Sequence, residues 1–599
     1  MVDITRGMDR LDVVEQVLRL PELSLVDLSR DGAWAVIVSN LTGSYQLWSF
    51  KLADKTVVQV SHGDQRVTYA RVSPDLKNVF FLRDFDGKER HQLFVTSIEG
   101  GEKEMQLSDF KDLRLFDFAC SPQGRKIALT GSTSESNYLW VFDVYEGRLE
   151  PVFKSGGWIF SPSYSESGDV LAFSANTTGT PRSSEIVVID FQSGATSVYT
   201  PKPGSENTIP KWHPQAMRIL FKTNAAGPYD LAIYDIDSSS FTTMGLSKYG
   251  VDFTDFGWLS DGGVFWFVAR RNGRSKLYVR KDGGDVAEVE TPVGTITGIE
   301  VDRTGSFAVF SWSSLSRPPV LYRVDIKSGK LHLLYEPAQL RGLPLGKAEF
   351  ISYRSFDGLE VPGFLLLAEG KKEPKPCVVW VHGGPWWEVG DEWNAPVQAL
   401  CAAGFHVLCP NFRGSTGYGA DFERLNIGDP GGGDMQDVLH GVKYLYELGL
   451  VDDERVGVAG ASYGGFMTFL TMTKNPDVWK AGAAIVGVTD WMEDYELSDA
   501  AFRNFTEQLL SKPEEKPELF RDRSPINFVH QTKAPILVWH RANDSRCPLQ
   551  PVEKFVKKLK QLGKPHEFYV VEGEGHGVQR LENFVKQYRT VADFFLRYL

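Results

Sequence analysis

The segment Gly460-Ala461-Ser462-Tyr463-Gly464 has the G-x-S-x-G spacing and stands between an apolar run and a run of helical character. A serine in this pattern lies on a sharp turn from a strand into a helix, where the small flanking residues avoid Cβ clashes. The turn exposes the hydroxyl, and the N-terminus of the helix favours developing negative charge. The pattern therefore predicts that Ser462 is a nucleophile.

A serine hydroxyl needs a base to take its proton and a carboxylate to orient that base. On a strand-turn-helix scaffold the acid and then the histidine follow the serine in chain order. His576 comes just after the strand-like run HEFYVVEG and is the predicted base. Asp544 follows the run APILVWH and is the predicted carboxylate, and Asp490, after the preceding apolar run, is the alternative.

The oxyanion formed by attack on a carbonyl needs two hydrogen-bond donors. The backbone N–H of Tyr463, directly after the nucleophile, is one predicted donor. The second comes from a loop after an early strand, where His382-Gly-Gly-Pro385 stands. We predict Gly384 as that donor, with Gly383 as the alternative.

Buried strands alternating with helices predict a doubly wound, mostly parallel sheet for residues 338–599, and the turn of Ser462 makes this a predicted α/β-hydrolase domain. Apolar runs such as CVVWVHGG, RVGVAGAS and APILVWH alternate there with helical stretches. The predicted nucleophile, acid and base each follow one of these strands. They should meet at the carboxyl edge of the sheet, where open α/β sheets place their sites.

Short strands separated by recurring turns fill residues 22–337. The repeat is about 45 residues, the length of a four-stranded propeller blade, and its seven turns predict a seven-bladed β-propeller. A pair of irregular β-sandwiches is the alternative. The turns start at Ser29, Ser73, Ser121, Ser165, His213, Ser260 and Asp302.

Apolar residues at helical spacing predict one amphipathic helix from about Thr5 to Leu20, within an N-terminal segment of residues 1–21. Met8, Leu11, Val14 and Leu18 form its stripe. We expect this stripe to cover part of the hydrolase domain.

The composition excludes several classes of protein. The net charge is −12 without a cluster of Lys and Arg, so no nucleic-acid partner is expected. Five cysteines without a CxxC pair indicate free thiols, and no metal or other cofactor is expected. Asp84-Phe-Asp86-Gly87 is interpreted as a turn, since it lacks the final glutamate of a calcium loop. The absence of a signal-like or membrane-length apolar run leads us to expect a cytoplasmic protein without membrane contact.

These motifs together resemble the prolyl oligopeptidase family of serine peptidases. The resemblance covers nearly the whole chain. Segments 490–504 and 543–546 are similar to its acylaminoacyl-peptidase branch in particular. The motifs that carry the family resemblance are the propeller repeat, His382–Pro385, Asn411–Gly419, Gly433–Asp437 and Gly460–Gly465.

The resemblance implies an exopeptidase that removes an N-acylated amino acid from short peptides, often with esterase activity. It also implies that the propeller restricts access to the site and that Trp491, Phe502 and Phe505 form an apolar substrate pocket. Core packing is the alternative for the two phenylalanines. Arg546 matches a substrate-contacting arginine, and structural pairing with an acid is its alternative. We also expect a homo-oligomer.

Trp386 and Trp387, directly after the HGGP segment, are bulkier than the resemblance leads us to expect, and we interpret them as narrowing the acyl-side pocket.

Three other functions stay open at this point. A dipeptidyl aminopeptidase or oligopeptidase would keep the fold and change the substrate. A carboxylesterase would act on peptides only incidentally. A binding scaffold with an inactive hydrolase domain is disfavoured by the complete set of serine, aspartate, histidine and glycines.

Overall fold

The first half of the chain forms seven four-stranded antiparallel sheets in the computed structural model, which describes residues 9–281, 284–340 and 342–599. Each of the seven sequence turns joins the first and second strands of one sheet. The seven-bladed propeller is therefore confirmed. Its strands are β1 Leu23–Leu28, β2 Trp34–Ser39, β3 Gln46–Lys51, β4 Val57–Gln59, β5 Val67–Val72, β6 Asn78–Arg83, β7 Gln92–Ser97, β8 Met105–Gln106, β9 Arg114–Cys120, β10 Lys126–Ser132, β11 Asn137–Asp143, β12 Arg148–Ser155, β13 Ile159–Tyr164, β14 Val170–Ala175, β15 Glu185–Asp190, β16 Thr196–Tyr199, β17 Asn207–Trp212, β18 Arg218–Thr223, β19 Asp230–Asp235, β20 Ser240–Thr243, β21 Asp252–Trp258, β22 Val264–Arg271, β23 Arg274–Lys281, β24 Val286–Val289, β25 Thr295–Val301, β26 Phe307–Ser314, β27 Arg317–Asp325 and β28 Leu331–Tyr335.

The propeller ring closes by packing between its first and last blades. Every blade consists of four consecutive strands, so no strand is shared across the seam. Leu23 and Leu25 of β1 lie in one apolar cluster with Val309 and Leu321 of the last blade. The backbone N–H of Leu25 also donates to the Ser311 hydroxyl at 3.1 Å. Side-chain contacts therefore hold this seam together.

The second half contains an eight-stranded sheet with the order β29-β30-β32-β31-β33-β34-β35-β36. The first two strands are antiparallel and join the sheet through β32, and the pairs from β32 to β36 are parallel. This is the predicted α/β-hydrolase arrangement. The strands are β29 Lys347–Arg354, β30 Glu360–Leu367, β31 Lys375–Val381, β32 His406–Pro410, β33 Val451–Ala461, β34 Ala481–Ile485, β35 Ile536–Arg541 and β36 His566–Val571.

Helices cover both faces of this sheet. One face packs on α4, α5 and α9, and the other packs on α1, α2 and α10. None of the helices in the described ranges is long and apolar enough to cross a membrane. The helices are α1 Arg10–Leu18, α2 Ala395–Ala402, α3 Ala420–Glu423, α4 Gly433–Glu447, α5 Tyr463–Lys474, α6 Trp491–Leu497, α7 Ala500–Leu510, α8 Pro517–Arg523, α9 Leu549–Gln561 and α10 Leu581–Tyr598; short 3-10 turns occur at Ala368–Gly370, Pro525–Asn527 and Val529–Gln531.

Helix α1 packs on the hydrolase half although the propeller follows it in the chain. Its buried residues Val14, Val17 and Leu18 share an apolar cluster with α2 and α10. Asp9 caps the helix by accepting from the Leu11 N–H at 3.3 Å. The first part of the predicted helix, including Met8, lies outside the described residues.

We predict that Val14→Asp lowers the free energy of unfolding by at least about 3 kcal/mol, because an unpaired carboxylate would be buried where Val14 is 0% exposed. Urea denaturation measures the effect. Asp12→Asn, on the exposed side of α1, is the control and should change stability by less than about 1 kcal/mol. A Val14→Asp protein as stable as the control would show that the helix does not dock.

Candidate active site

Ser462 lies on the turn between β33 and α5 in a backbone conformation that non-glycine residues seldom adopt, with φ 59° and ψ −120°. The glycines around it allow two backbone segments to approach closely. A Cβ on Gly464 would lie 2.0 Å from the Val381 carbonyl oxygen, and one on Gly460 would lie 2.5 Å from the same atom. The G-x-S-x-G spacing is therefore a requirement of packing against β31.

His576 and Asp544 come together from the loops that follow β36 and β35. The Nδ1 atom of His576 lies 2.9 Å and 3.0 Å from the two carboxylate oxygens of Asp544. Burial opposes ionisation of Asp544, but the nearby His576 and backbone N–H donors outweigh it and keep the pKa of the carboxyl below its usual value. Asp490, the alternative acid, caps α6 through the N–H groups of Met492 and Glu493.

Arg541 holds the loop that carries His576 through contacts with its backbone. One of its guanidinium nitrogens donates to the Gly575 carbonyl at 3.1 Å and also contacts the His576 carbonyl. The other donates to Gln587 of α10 at 2.7 Å. Arg541 is thus a positioning residue, since it contacts the backbone of the loop and not the imidazole.

Ser462 and Cys547, whose thiol is buried, line the same cavity. Within the part of the chain that the structure describes, no hydrogen bond joins Ser462 to His576. Rotation about a single side-chain bond repositions a serine hydroxyl, and catalytic hydrogen bonds are often loose before substrate binds. The three groups follow β33, β35 and β36, whose carboxyl ends lie at the same edge of the sheet.

The loop of Gly383 and Gly384 lies beside the nucleophile. Gly384 lines the same cavity as Ser462 and Tyr463, and neither its N–H nor that of Tyr463 has an acceptor among the described residues. The φ of Gly384 is +117°, and an added Cβ would lie 2.7 Å from the Trp386 nitrogen. Gly383 also approaches the turn, since a Cβ added to it would lie 3.4 Å from the Ser462 Cβ.

A cavity of about 460 Å³ lies over the nucleophile, between the two halves of the molecule. Trp386, Trp491, Phe502 and Phe505 give the hydrolase side an aromatic wall. The three predicted pocket residues are thus all in the cavity wall, and Trp386 joins them by packing on Phe505 at 5.5 Å between ring centroids. The propeller contributes polar and aromatic residues, among them Trp158, Arg182 and Glu206.

Arg546 lines the cavity and is also paired across the domain interface. Its Nε lies 2.9 Å from both carboxylate oxygens of Glu89, a propeller residue between β6 and β7. Glu89 pairs with Arg114 at 2.7 Å, and Arg114 pairs with Asp499 at the start of α7 at 2.7 Å. The structural pairing that the sequence left as an alternative is therefore present. Phe502 packs between the two guanidinium groups, 4.8 Å from that of Arg114 and 5.5 Å from that of Arg546.

The propeller turn 84–89 contacts both catalytic loops. Asn543, next to the acid, donates to the Asp86 carbonyl at 2.6 Å. Gln579, three residues after the base, donates to the Asp84 carboxylate at 3.2 Å. Between them the backbones of Gly87 and Gly575 meet so closely that a Cβ on Gly575 would lie 1.5 Å from the Gly87 carbonyl oxygen. This segment is a turn, as interpreted from the sequence.

Sequence reasoning missed the cavity residues that come from the propeller, namely Trp158, Arg182 and Glu206. Nothing in a single sequence shows which blade edge faces the hydrolase sheet. Asp494 was also missed, although it stands three residues after Trp491 on α6 and so shares its face of the helix.

Two family models match the chain. The model of the prolyl oligopeptidase family matches residues 392–599, and that of the acylamino-acid-releasing enzyme-like N-terminal domain matches residues 51–322. The uncharacterized peptidase YuxL of Bacillus subtilis is 25% identical over 99% of this chain and 100% of its own length. Dipeptidyl aminopeptidase BIII of Pseudoxanthomonas mexicana is 25% identical over 96% of this chain and 86% of its own. The human acylamino-acid-releasing enzyme is 28% identical over 50% of this chain and 45% of its own.

Solved structures share the fold over nearly the whole length. A puromycin-hydrolyzing peptidase of Mycobacterium tuberculosis superposes with a TM-score of 0.84 at 20% identity, covering 99% of this chain and 96% of that one. The acylaminoacyl peptidase of Pyrococcus horikoshii gives a TM-score of 0.74 at 23% identity, with 98% and 97% coverage. At these identities the likeness establishes the architecture.

We predict that Gly575→Ala lowers the rate of p-nitrophenyl acetate hydrolysis at least about tenfold, because the added methyl group must push the histidine loop away from the propeller turn. Gly263→Ala, in the turn between β21 and β22, is the control, since its φ is not positive and no atom of the described residues lies within 4 Å of the added methyl group. Equal rates for the two variants would show that the contact does not position His576.

Proposed function

Because the chain belongs to the prolyl oligopeptidase family of serine peptidases, we propose that it releases an N-acylated amino acid from the N-terminus of short peptides. Ser462 attacks the carbonyl, and His576 takes its proton and returns it to the leaving amine. Asp544 holds the imidazole, and the N–H groups of Gly384 and Tyr463 stabilise the oxyanion. Water then releases the acyl group from Ser462.

The charge around Glu206 supports an acylated substrate over one with a free amine. A free amine requires an available carboxylate, and Glu206 is the propeller acid in the cavity wall. Arg182 lies 3.1 Å from Glu206 and also contacts Glu423, and the Tyr229 hydroxyl lies 2.7 Å from Glu206 and 2.9 Å from Glu423. An incoming ammonium would have to displace this arginine.

The limited size of the cavity supports short substrates. The propeller turn 84–89 covers the loops of Asp544 and His576, and propeller residues form one wall of the cavity. A folded protein chain cannot reach Ser462 past these contacts.

A dipeptidyl aminopeptidase is the second candidate, and the observation that favours it is the presence of Glu206 in the cavity wall. Displacement of Arg182 toward Glu423 would free this carboxylate for an ammonium. The same serine, histidine and aspartate would then act on a free N-terminus.

We predict that an acetylated peptide is cleaved with a kcat/KM at least about tenfold higher than its free-amine twin, because an ammonium on the propeller side of the cavity would meet the Glu206 carboxylate already paired with Arg182. Ser462→Ala should reduce both rates by on the order of 10⁴-fold or more. A preference for the free amine would establish the aminopeptidase instead. A Ser462→Ala protein with full activity would contradict the assignment of the nucleophile.

We predict that Gly384→Ala lowers kcat by about 100-fold with little change in KM. The substitution displaces the Gly384 N–H, which in the wild type stabilises the transition state rather than the bound substrate. Gly358→Ala, in the turn between β29 and β30, is the matched control. Its φ of +86° imposes similar backbone strain, but no atom lies within 4 Å of the added methyl group. Equal kcat values would assign the second donor to another residue.

A further inference from the structure

The charged side chains in the cavity wall differ in whether they have counter-ions. Arg546 is paired with Glu89, and Arg182 is paired with Glu206. Asp494 is the exception among the charged residues described in this wall. No hydrogen bond or ion pair to its carboxyl group occurs in the described part of the chain, although the residue is only 4% exposed.

Asp494 lies on the hydrolase side of the cavity that contains the nucleophile. It follows Trp491 by one turn of α6, and both residues line the cavity together with Ser462 and Cys547. The negative charge of Asp494 is one cause of the raised pKa of the Cys547 thiol, which agrees with their places in one cavity wall. The side chain of the residue whose carbonyl is attacked must lie in this part of the cavity, because it is two bonds from that carbonyl.

We propose that Asp494 makes this subsite selective for a basic side chain, lysine or arginine, on the residue whose carbonyl Ser462 attacks. The proposal rests on the proposed function, in that Ser462 is taken as the nucleophile of a peptidase. The enzyme would then release N-acylated lysine or arginine from short peptides.

The walls of the subsite suit such a side chain along its whole length. The methylene stem of lysine or arginine packs on apolar surface, which Trp491 and Phe505 provide. The charged end gains from aromatic faces and from a carboxylate that has no other partner. A purely apolar side chain would leave the Asp494 carboxyl buried without a hydrogen bond.

The electrostatics of Asp494 agree with this placement. Burial, followed by the negative charges of Asp544, Asp490 and Glu493, raises the pKa of Asp494 well above its usual value. No positive charge among the described residues offsets these effects at the Asp494 carboxyl group, and a bound ammonium or guanidinium group would supply one.

The experiment compares charged side chains with uncharged side chains of similar size. Wild-type enzyme is assayed on acetylated p-nitroanilides of lysine, norleucine, glutamine, arginine and citrulline, and on the same compounds with free amines. We expect kcat/KM to be at least tenfold higher for lysine than for norleucine or glutamine, and likewise for arginine over citrulline. This comparison needs no variant and so does not depend on folding.

Asp494→Asn then tests the residue itself. We expect kcat/KM for the lysine and arginine substrates to fall by about 10-fold to 100-fold, the effect of removing a charge-assisted hydrogen bond, while norleucine is cleaved at least as fast as before. Glu493→Gln is the matched control, because it removes a charge from the same helix at a residue that pairs outward with Lys554 at 2.7 Å. Its lysine preference should stay that of the wild type.

Three results would overturn the proposal. Norleucine could equal or exceed lysine in the wild type, or Asp494→Asn could slow both equally. Asp494→Asn could also remove activity on free-amine substrates whatever their side chain, which would make Asp494 the binding group of the N-terminus. A different outcome separates the two proposals. If lysine is preferred but free amines are cleaved faster than acetylated ones, this subsite is upheld and only the acyl specificity proposed above is rejected.

Discussion

The active-site geometry depends on the contact between one propeller turn and two loops of the hydrolase sheet. Turn 84–89 lies against the loop of Asp544 and the loop of His576, and the glycine backbones of Gly87 and Gly575 meet without room for a side chain. Loops at the end of a sheet are ordinarily among the more mobile parts of a protein. Here the second domain limits the positions of the acid and the base relative to each other.

Ion pairs extend the same contact into the substrate cavity. Glu89 joins Arg546 of the hydrolase half to Arg114 of the propeller, and Arg114 reaches Asp499 at the start of α7. Removing one partner would leave an unpaired charge in a poorly solvated interface, which is far less favourable than removing the whole set. The pairs therefore align α7, which carries Phe502 and Phe505, with the blade edge that faces it.

The sequence predicts the parts of this molecule that local patterns encode. The propeller repeat, the alternation of strands and helices, and the strand ends carrying Ser462, Asp544 and His576 all follow from spacing within short segments. The pairing of Arg546 with Glu89 and the place of Glu206 in the cavity do not, because they join residues hundreds of positions apart whose relation is set by how two domains dock. The domain limits, cytoplasmic location and self-association stay predictions.

The propeller ring stays closed partly because both of its ends are attached to the hydrolase half. Helix α1 precedes the first blade and β29 follows the last, and both belong to the hydrolase body. The two ends of the blade ring are thus attached to the same domain, which reduces the conformational entropy lost when they meet. The catalytic half therefore helps to hold the ring closed, although none of the described strands is shared between the first and last blades.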